Sequence, residues 1–286
     1  MDQQSRHFGF FLPLLIIFGL YGSAFAAFVV MSFYRGSTSG VIDTSALGWY
    51  NYERFFNSSA AILNIYDTLF ISALLTVLTL LLAYPFAYML SRIQSSMLRR
   101  CMLGIVMVTF LSGGITRAYA WMIVLGNSGL INRLITALGF DQLPLLYNLT
   151  GVAIALVHFL LPFCILTLIG TFQTIPSTME AAATSLGAGR VMTFWRIVFP
   201  LTARGIVGAG VLTFSVAISS FLFPLLLGGG RVRMMSNQVY DLIFTSFDIP
   251  YAAATAVIFL LVVVVSITVV TFILGRMFDD RRWKAQ

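Results

Sequence analysis

Residues 150–172 read TGVAIALVHFLLPFCILTLIGTF, a run without one Asp, Glu, Lys or Arg. About 20 mostly apolar residues carry a helix across the hydrocarbon layer of a bilayer. This run is long enough, and none of its side chains demands water. Comparable uncharged runs occupy residues 8–34, 68–91, 101–116, 205–230 and 249–275. Around them the whole chain has the same character: 286 residues, 59% in the AVILMFWYC set and 9% charged, with a mean hydropathy of +0.94. A soluble domain carries about 25% charged residues. So few ionisable groups cannot clothe a water-facing surface, which excludes a cytosolic enzyme. Abundant apolar residues exclude disorder.

The reading is an all-α fold, a polytopic transmembrane helical bundle of six spans, in one membrane domain over 1–286. The spans are predicted at about 9–33, 67–91, 101–124, 150–172, 204–228 and 250–275. The third reaches full length only with Arg117 inside it. The first resembles a secretory leader at Ala24-Phe25-Ala26. Its apolar run continues to Phe33, beyond the roughly 7–15 residues of a leader core, so it is read as a retained helix. Pro85 and Pro224 fall within the second and fifth spans, as kinks or as gating hinges.

Charge sets the expected orientation. With the N-terminus inside, eleven basic residues collect there: Arg6, Arg92, Arg99, Arg100, Arg190, Arg196, Arg204, Arg276, Arg281, Arg282 and Lys284. Five, Arg35, Arg54, Arg133, Arg231 and Arg233, fall outside. The positive-inside rule then predicts both termini in the cytoplasm. The isoelectric point near 9.7 is accounted for by topology, and no nucleic-acid partner is required. Cys101 and Cys164 suggest neither a disulfide framework nor a zinc site. No metal-ligand cluster is visible in the sequence.

Outside the spans, the aromatic run 49–56 (WYNYERFF) is read as an interfacial anchor in preference to a ligand cage. Residues 127–140 (NSGLINRLITALGF) have helical apolar spacing and are read as a short amphipathic helix. A long connection, 173–203, lies on the predicted cytoplasmic side. There Ser177 followed by Glu180 matches a capping box, Ala181, Ala182 and Ala183 are strong helix formers, and Gly187 offers a stop. A second helical piece is expected from Arg190, with Val191, Phe194, Trp195 and Val198 as its stripe and Phe199-Pro200 as its end. Such a small-residue helix suits docking on a partner protein or lying on membrane lipid headgroups. Periodicity alone does not separate the two.

Residues 180–189 (EAAATSLGAG) and 197–201 (IVFPL) resemble the EAA loop of ABC importer permeases, whose signature runs E-A-A, a Gly, then I-x-L-P after nine residues. Gly187 and Ile197-Val198-Phe199-Pro200 keep that spacing. The glutamate does not: counting back from Leu186-Gly187-Ala188, the family's Glu falls on Ala181, one residue after Glu180. Asn51-Tyr52 with Arg54-Phe55, then Tyr84-Pro85-Phe86-Ala87-Tyr88, Leu161-Pro162-Phe163, Pro200-Leu201 and Gly205-Ile206 are similar to the spermidine/putrescine-type permeases. Arg204 stands where that group usually has Pro. The likeness covers roughly residues 45–275. Polyamine, opine and phosphonate permeases share these features.

The resemblance implies a type I ABC importer in a prokaryotic inner membrane. It implies a second homologous permease subunit, two copies of a cytoplasmic ABC ATPase and an external solute-binding protein. ATP and Mg would sit on the ATPases, with no cofactor on this chain. The sequence agrees with that division: its one lysine, Lys284, precedes Ala285, so no Walker A loop ending G-K-[ST] is present. Residues expected to couple to the ATPase are Ser177, Glu180, Ala181, Ala182, Ala183, Gly187, Ala188 and Pro200. Candidates for the solute path are Arg117, Tyr119, Trp121, Asp67 and Asp241. An intramembrane arginine is a functional-site hypothesis by default. Arg117 either pairs with carbonyls or an acid of a neighbouring helix, or attracts an anionic group. A polyamine leads as solute, with an opine, phosphonate or other anionic or zwitterionic solute as alternative. A secondary transporter driven by an ion gradient is the rival of another class, and it would want more ionisable groups at mid-membrane than Arg117 and His158.

Overall fold

The computed structural model describes residues 3–36 and 42–277. Arg281, Arg282 and Lys284, counted among the inside basic residues, lie outside the described residues. Thirteen α-helices are described, with one short antiparallel ladder, β1 (Tyr34–Arg35) against β2 (Asp43–Leu47). The chain packs as two compact units: 1–65 with 235–261, and 66–234 with 262–286. The long helices α3 (Ser59–Arg92) and α13 (Ile249–Met277) run through both.

The first unit holds α1 (Gln3–Met31), the ladder, α2 (Tyr50–Phe56) and α12 (Met235–Phe244). Backbone left open after α1 is satisfied by a side chain: Asn51 Nδ2 donates to the Ser32 and Tyr34 carbonyls at 2.8 and 2.7 Å. Phe33, Trp49 and Tyr52 stack around this point with centroids 5.1–5.3 Å apart. Asp248, 3% exposed, accepts from Arg54 Nη1 at 2.6 Å. It also caps α13, where Tyr251 N–H donates to its side chain at 3.3 Å. The Arg54 guanidinium lies 4.0 Å from the Tyr251 ring centroid.

The second unit is organised on α7 (Leu149–Gln173), which is apolar on every face. It packs against α4 (Ser96–Leu111), α5 (Gly114–Leu125), α10 (Phe199–Ile218) and α11 (Leu222–Leu227). Two apolar clusters form along it. One gathers Leu125, Val152, Leu156, Leu160, Phe223 and Leu227. The other gathers Ala87, Leu90, Leu168, Phe172, Val198 and Ala209. Lipid tails are as apolar as leucine, so close packing through small residues holds such helices together. At the α7–α10 crossing Gly205 lies so near Thr171 that even a Cβ would collide with that side chain. The amphipathic segment 127–140 contains α6 (Leu130–Ala137). Its buried Asn132 pins the following loop, donating to the Gly126 and Leu143 carbonyls and accepting from Leu143 N–H.

Among the described residues four helical stretches are long and apolar enough to cross a membrane: Ser59–Arg92, Leu149–Gln173, Arg190–Ile218 and Ile249–Ile273. Two of the expected spans are not single helices. The third is broken: Ser96–Leu111 and Gly114–Ala137 meet at 97°, with Ser112 and Gly113 extended between them. The fifth stops at Ile218, and α11 follows after a turn. Pro224 cannot donate to the carbonyl four residues back, which favours a break there. The expected end at Phe199-Pro200 is also corrected. The helix continues from Arg190 to Ile218 through a π turn at Phe194–Val198. Phe199 N–H bonds the Phe194 carbonyl, and Pro200, which has no N–H to donate, follows directly on that π turn.

Candidate functional site

The long connection folds into α8 (Ser177–Ser185) and α9 (Arg190–Thr193). The capping box expected at Ser177 is absent. Pro176, extended at φ −61° and ψ 134°, occupies the N-cap position, and Ser177 is the first helical residue without a capping bond. The Glu180 carboxylate turns instead to α3. Arg92 Nη2 lies 2.5 Å from Glu180 Oε1, and the Tyr88 hydroxyl donates to Glu180 Oε2 at 2.8 Å. Arg92 also donates to the Ile175 carbonyl at 3.3 and 3.4 Å.

The other end of α8 closes on Gly187. Gly187 N–H bonds the Thr184 carbonyl at 2.9 Å, and Ala188 N–H bonds that of Ala183 at 3.0 Å. With φ +85° at Gly187, this is a Schellman closure, which requires a residue comfortable in the left-handed region. Between the two ends only Ala183 is buried. Ala181 and Ala182 are exposed, and beyond them Leu186 is 89% and Val191 73% exposed. A short stiff helix with small side chains outward and apolar residues at its rim can receive a close-fitting partner. Pro200 lies apart from this knob, in the first turn of α10.

Of the solute-path candidates, Asp241 belongs to the first unit, and Asp67, Arg117, Tyr119 and Trp121 to the second. Arg117 is 6% exposed. Its Nε donates to Ser112 Oγ at 2.8 Å, and its Nη2 to the carbonyls of Thr109, Phe110 and Ser112. Nη1 faces the Phe159 carbonyl at 3.4 Å, and the guanidinium lies 5.0 Å from the Phe159 ring centroid. The charge thus covers the open C-terminal carbonyls of α4, the negative end of that helix. No carboxylate faces it in these contacts. Trp121, one turn later, donates from Nε1 to His158 Nδ1 at 3.2 Å. Tyr119 lies between them on another face and is 48% exposed. Asp67 is exposed on α3, and Asp241 is half-buried on α12.

Sequence reasoning missed Tyr88 and Arg92. Their spacing of four places both on one face of α3, yet nothing local points to a carboxylate some ninety residues away.

The model of the family described as binding-protein-dependent transport system inner membrane component matches residues 58–284. The chain belongs to this family. It is therefore an ABC importer permease, and its family's members are transport components. Among curated relatives it is similar to the spermidine/putrescine transport system permease protein PotB of Haemophilus influenzae, 31% identical over 209 residues and 72% of each chain. The PotB of Escherichia coli K12 is 30% identical over 184 residues, 64% of this chain and 66% of its own length. This permease also shares its fold with a chain of a bacterial ABC transporter involved in import of the acidic polysaccharide alginate. The TM-score is 0.82, with 18% identity and 96% of both chains covered.

Proposed function

We propose that this permease forms half of the membrane path of an ATP-driven importer for a polyamine. The observation carrying the solute is the 31% identity to a spermidine/putrescine permease over 72% of both chains. Two sequence features favoured an anionic solute, Arg117 and the sparse intramembrane acids, and the Arg117 guanidinium is occupied by helix carbonyls. The second half of the path is a homologous permease subunit. A solute-binding protein delivers from outside, and two ABC ATPases sit on the cytoplasmic side with ATP and Mg. Both termini are then cytoplasmic, and the chain lies in a prokaryotic inner membrane, as the arginine distribution suggests.

In this reading the knob formed by Ser177, Ala181, Ala182, Leu186, Gly187 and Ala188 is gripped by one ATPase. ATP draws the ATPases together, α8 moves with its host, and the spans exchange one packing for another. A nucleotide shifts such an equilibrium only through contacts that differ between the two packings, and the knob is where those contacts are made.

The experiment is reconstitution of the complex in liposomes with its binding protein, followed by accumulation of radiolabelled spermidine. ATP-dependent accumulation is expected, with competition by putrescine and none by a phosphonate. Accumulation of a phosphonate in place of spermidine would overturn the solute, and accumulation by this chain alone on an ion gradient would overturn the class.

A further inference from the structure

Helix α8 rests on α9 and the π turn through a small contact, and Glu180 is its one charged side chain. Ala183 is its one buried residue, and its outer face meets no part of the described chain that could fix it. Glu180 faces the last turn of α3: Oε2 accepts from the Tyr88 hydroxyl at 2.8 Å, and Oε1 forms an ion pair with Arg92 Nη2 at 2.5 Å without a hydrogen bond of its own. Arg92 adds bonds to the Ile175 carbonyl, immediately before Pro176. Tyr88 is itself wedged between Phe172 of α7 and Phe194 of the π turn, with centroids 5.5 and 5.9 Å away. The Arg92 and Glu180 side chains are 23% and 20% exposed. A pair so far withdrawn from water is poorly screened, and removing one member strands the other.

We propose that Glu180 is a positioning residue: with Arg92 and Tyr88 it latches α8 to the end of α3, so that a displacement of α8 pulls directly on that membrane helix. The offset of Glu180 from the family's glutamate position gives this its meaning. One residue on a helix turns a side chain by about 100°. Ala181, at the family's position, is exposed, while Glu180 faces α3. The carboxylate is therefore an internal tether, and contact with the ATPase is left to small and apolar residues. The direction of pull rests on the coupling reading above, but the latch itself does not.

The test compares Glu180→Gln, Arg92→Gln, Tyr88→Phe and the exchanged pair R92E/E180R in the full chain in lipid nanodiscs. Amide hydrogen exchange of residues 177–185 is read against residues 150–172 of the same molecule as the folding control. Loss of either charge is expected to speed α8 exchange about tenfold, and the exchanged pair to restore it to within about threefold, in line with coupling of contacting residues. Tyr88→Phe is expected to speed it about threefold alone and to add nothing to Glu180→Gln. Unchanged α8 exchange in the single variants would overturn the latch. So would an exchanged pair as loose as the single variants while residues 150–172 keep their protection. If the exchanged pair loses that protection, Tyr88→Phe decides in its place. In the complex with ATPase, spermidine accumulated per ATP hydrolysed should fall about tenfold in Glu180→Gln and recover in the exchanged pair. Loose α8 with an unchanged ratio would overturn the transmission role. A wild-type chain that binds no ATPase would overturn the coupling reading and leave the exchange experiment to decide the latch.

Discussion

Arg117 reaches back five residues to Ser112, with Nε donating to Ser112 Oγ at 2.8 Å and Nη2 to the Ser112 carbonyl at 2.8 Å. A buried arginine is thereby the cap of the helix before it. The bend of 97° between α4 and the segment from Gly114 would otherwise open carbonyls toward a lipid interior that offers no donors. The first prediction follows from that geometry. Arg117→Gln should cost about 3 kcal/mol of stability, through carbonyls left unpaired. Arg117→Lys, which keeps the charge without the planar fork, should cost less. Thermal unfolding in detergent measures both. Solute preference should not move; a changed competitor profile in an Arg117→Gln complex that still assembles would return Arg117 to the solute path.

Gly187 carries the second prediction. A β-branched side chain at φ +85° is strained by about 1–2 kcal/mol. Gly187→Val should therefore open the Schellman closure and reorient α9. Uptake per ATP hydrolysed should drop, and Gly187→Asn, which tolerates the left-handed region, should stay near wild type. Equal coupling in Gly187→Val would contradict the docking role of the knob.

The α7–α10 crossing supplies the third. Gly205 has no room for a Cβ beside Thr171, so Gly205→Val should destabilise the second unit by about 1–3 kcal/mol, the range for overpacking a filled interior. Thr171→Ala should recover part of the loss in the double variant, as neighbours that share a contact do. A double variant no more stable than Gly205→Val would show that the close approach is not the cause.

Asp248 carries the fourth prediction, within the first unit. Its side chain is 3% exposed and both accepts from Arg54 and caps α13. Arg54 is 42% exposed, so water can take its place. Asp248→Ala should thus cost about 2–3 kcal/mol, combining a lost cap with a lost buried acceptor. Arg54→Ala should cost about 1 kcal/mol after solvent screening. Equal losses in thermal unfolding would argue against the cap.

Legibility in the sequence differed by feature, for physical reasons. The uncharged run at 150–172 lies within α7, because solvent alone dictates what can occupy a bilayer. Gly187 as the stop of α8 was readable from local backbone chemistry, and so was α6 from its apolar spacing. The break at residues 112–113 was signalled by Leu111-Ser112-Gly113-Gly114, a turn-forming cluster outweighed by the apolar content on either side. Ser177 shows the limit of local rules. Its capping box competes with an arginine from another helix, and the ion pair to Arg92 takes the carboxylate that the box needs. No periodicity reports such a partner, because Arg92 and Glu180 meet only once α3, α7 and α8 have folded. The same holds for Arg117, whose partners are backbone carbonyls and the Ser112 hydroxyl, none of them a charged group that a sequence pattern would mark.

Seating of α8 in the ATPase is read by cysteine cross-linking of Ala182→Cys, in a Cys101→Ser and Cys164→Ser background, in membranes carrying the assembled complex and a short bis-maleimide. A covalent species joining this permease to its ATPase is expected, with a yield that changes when ATP is added. Full ATP-dependent uptake with no such species, and with the same cysteine labelled freely by a bulky maleimide during transport, would contradict it.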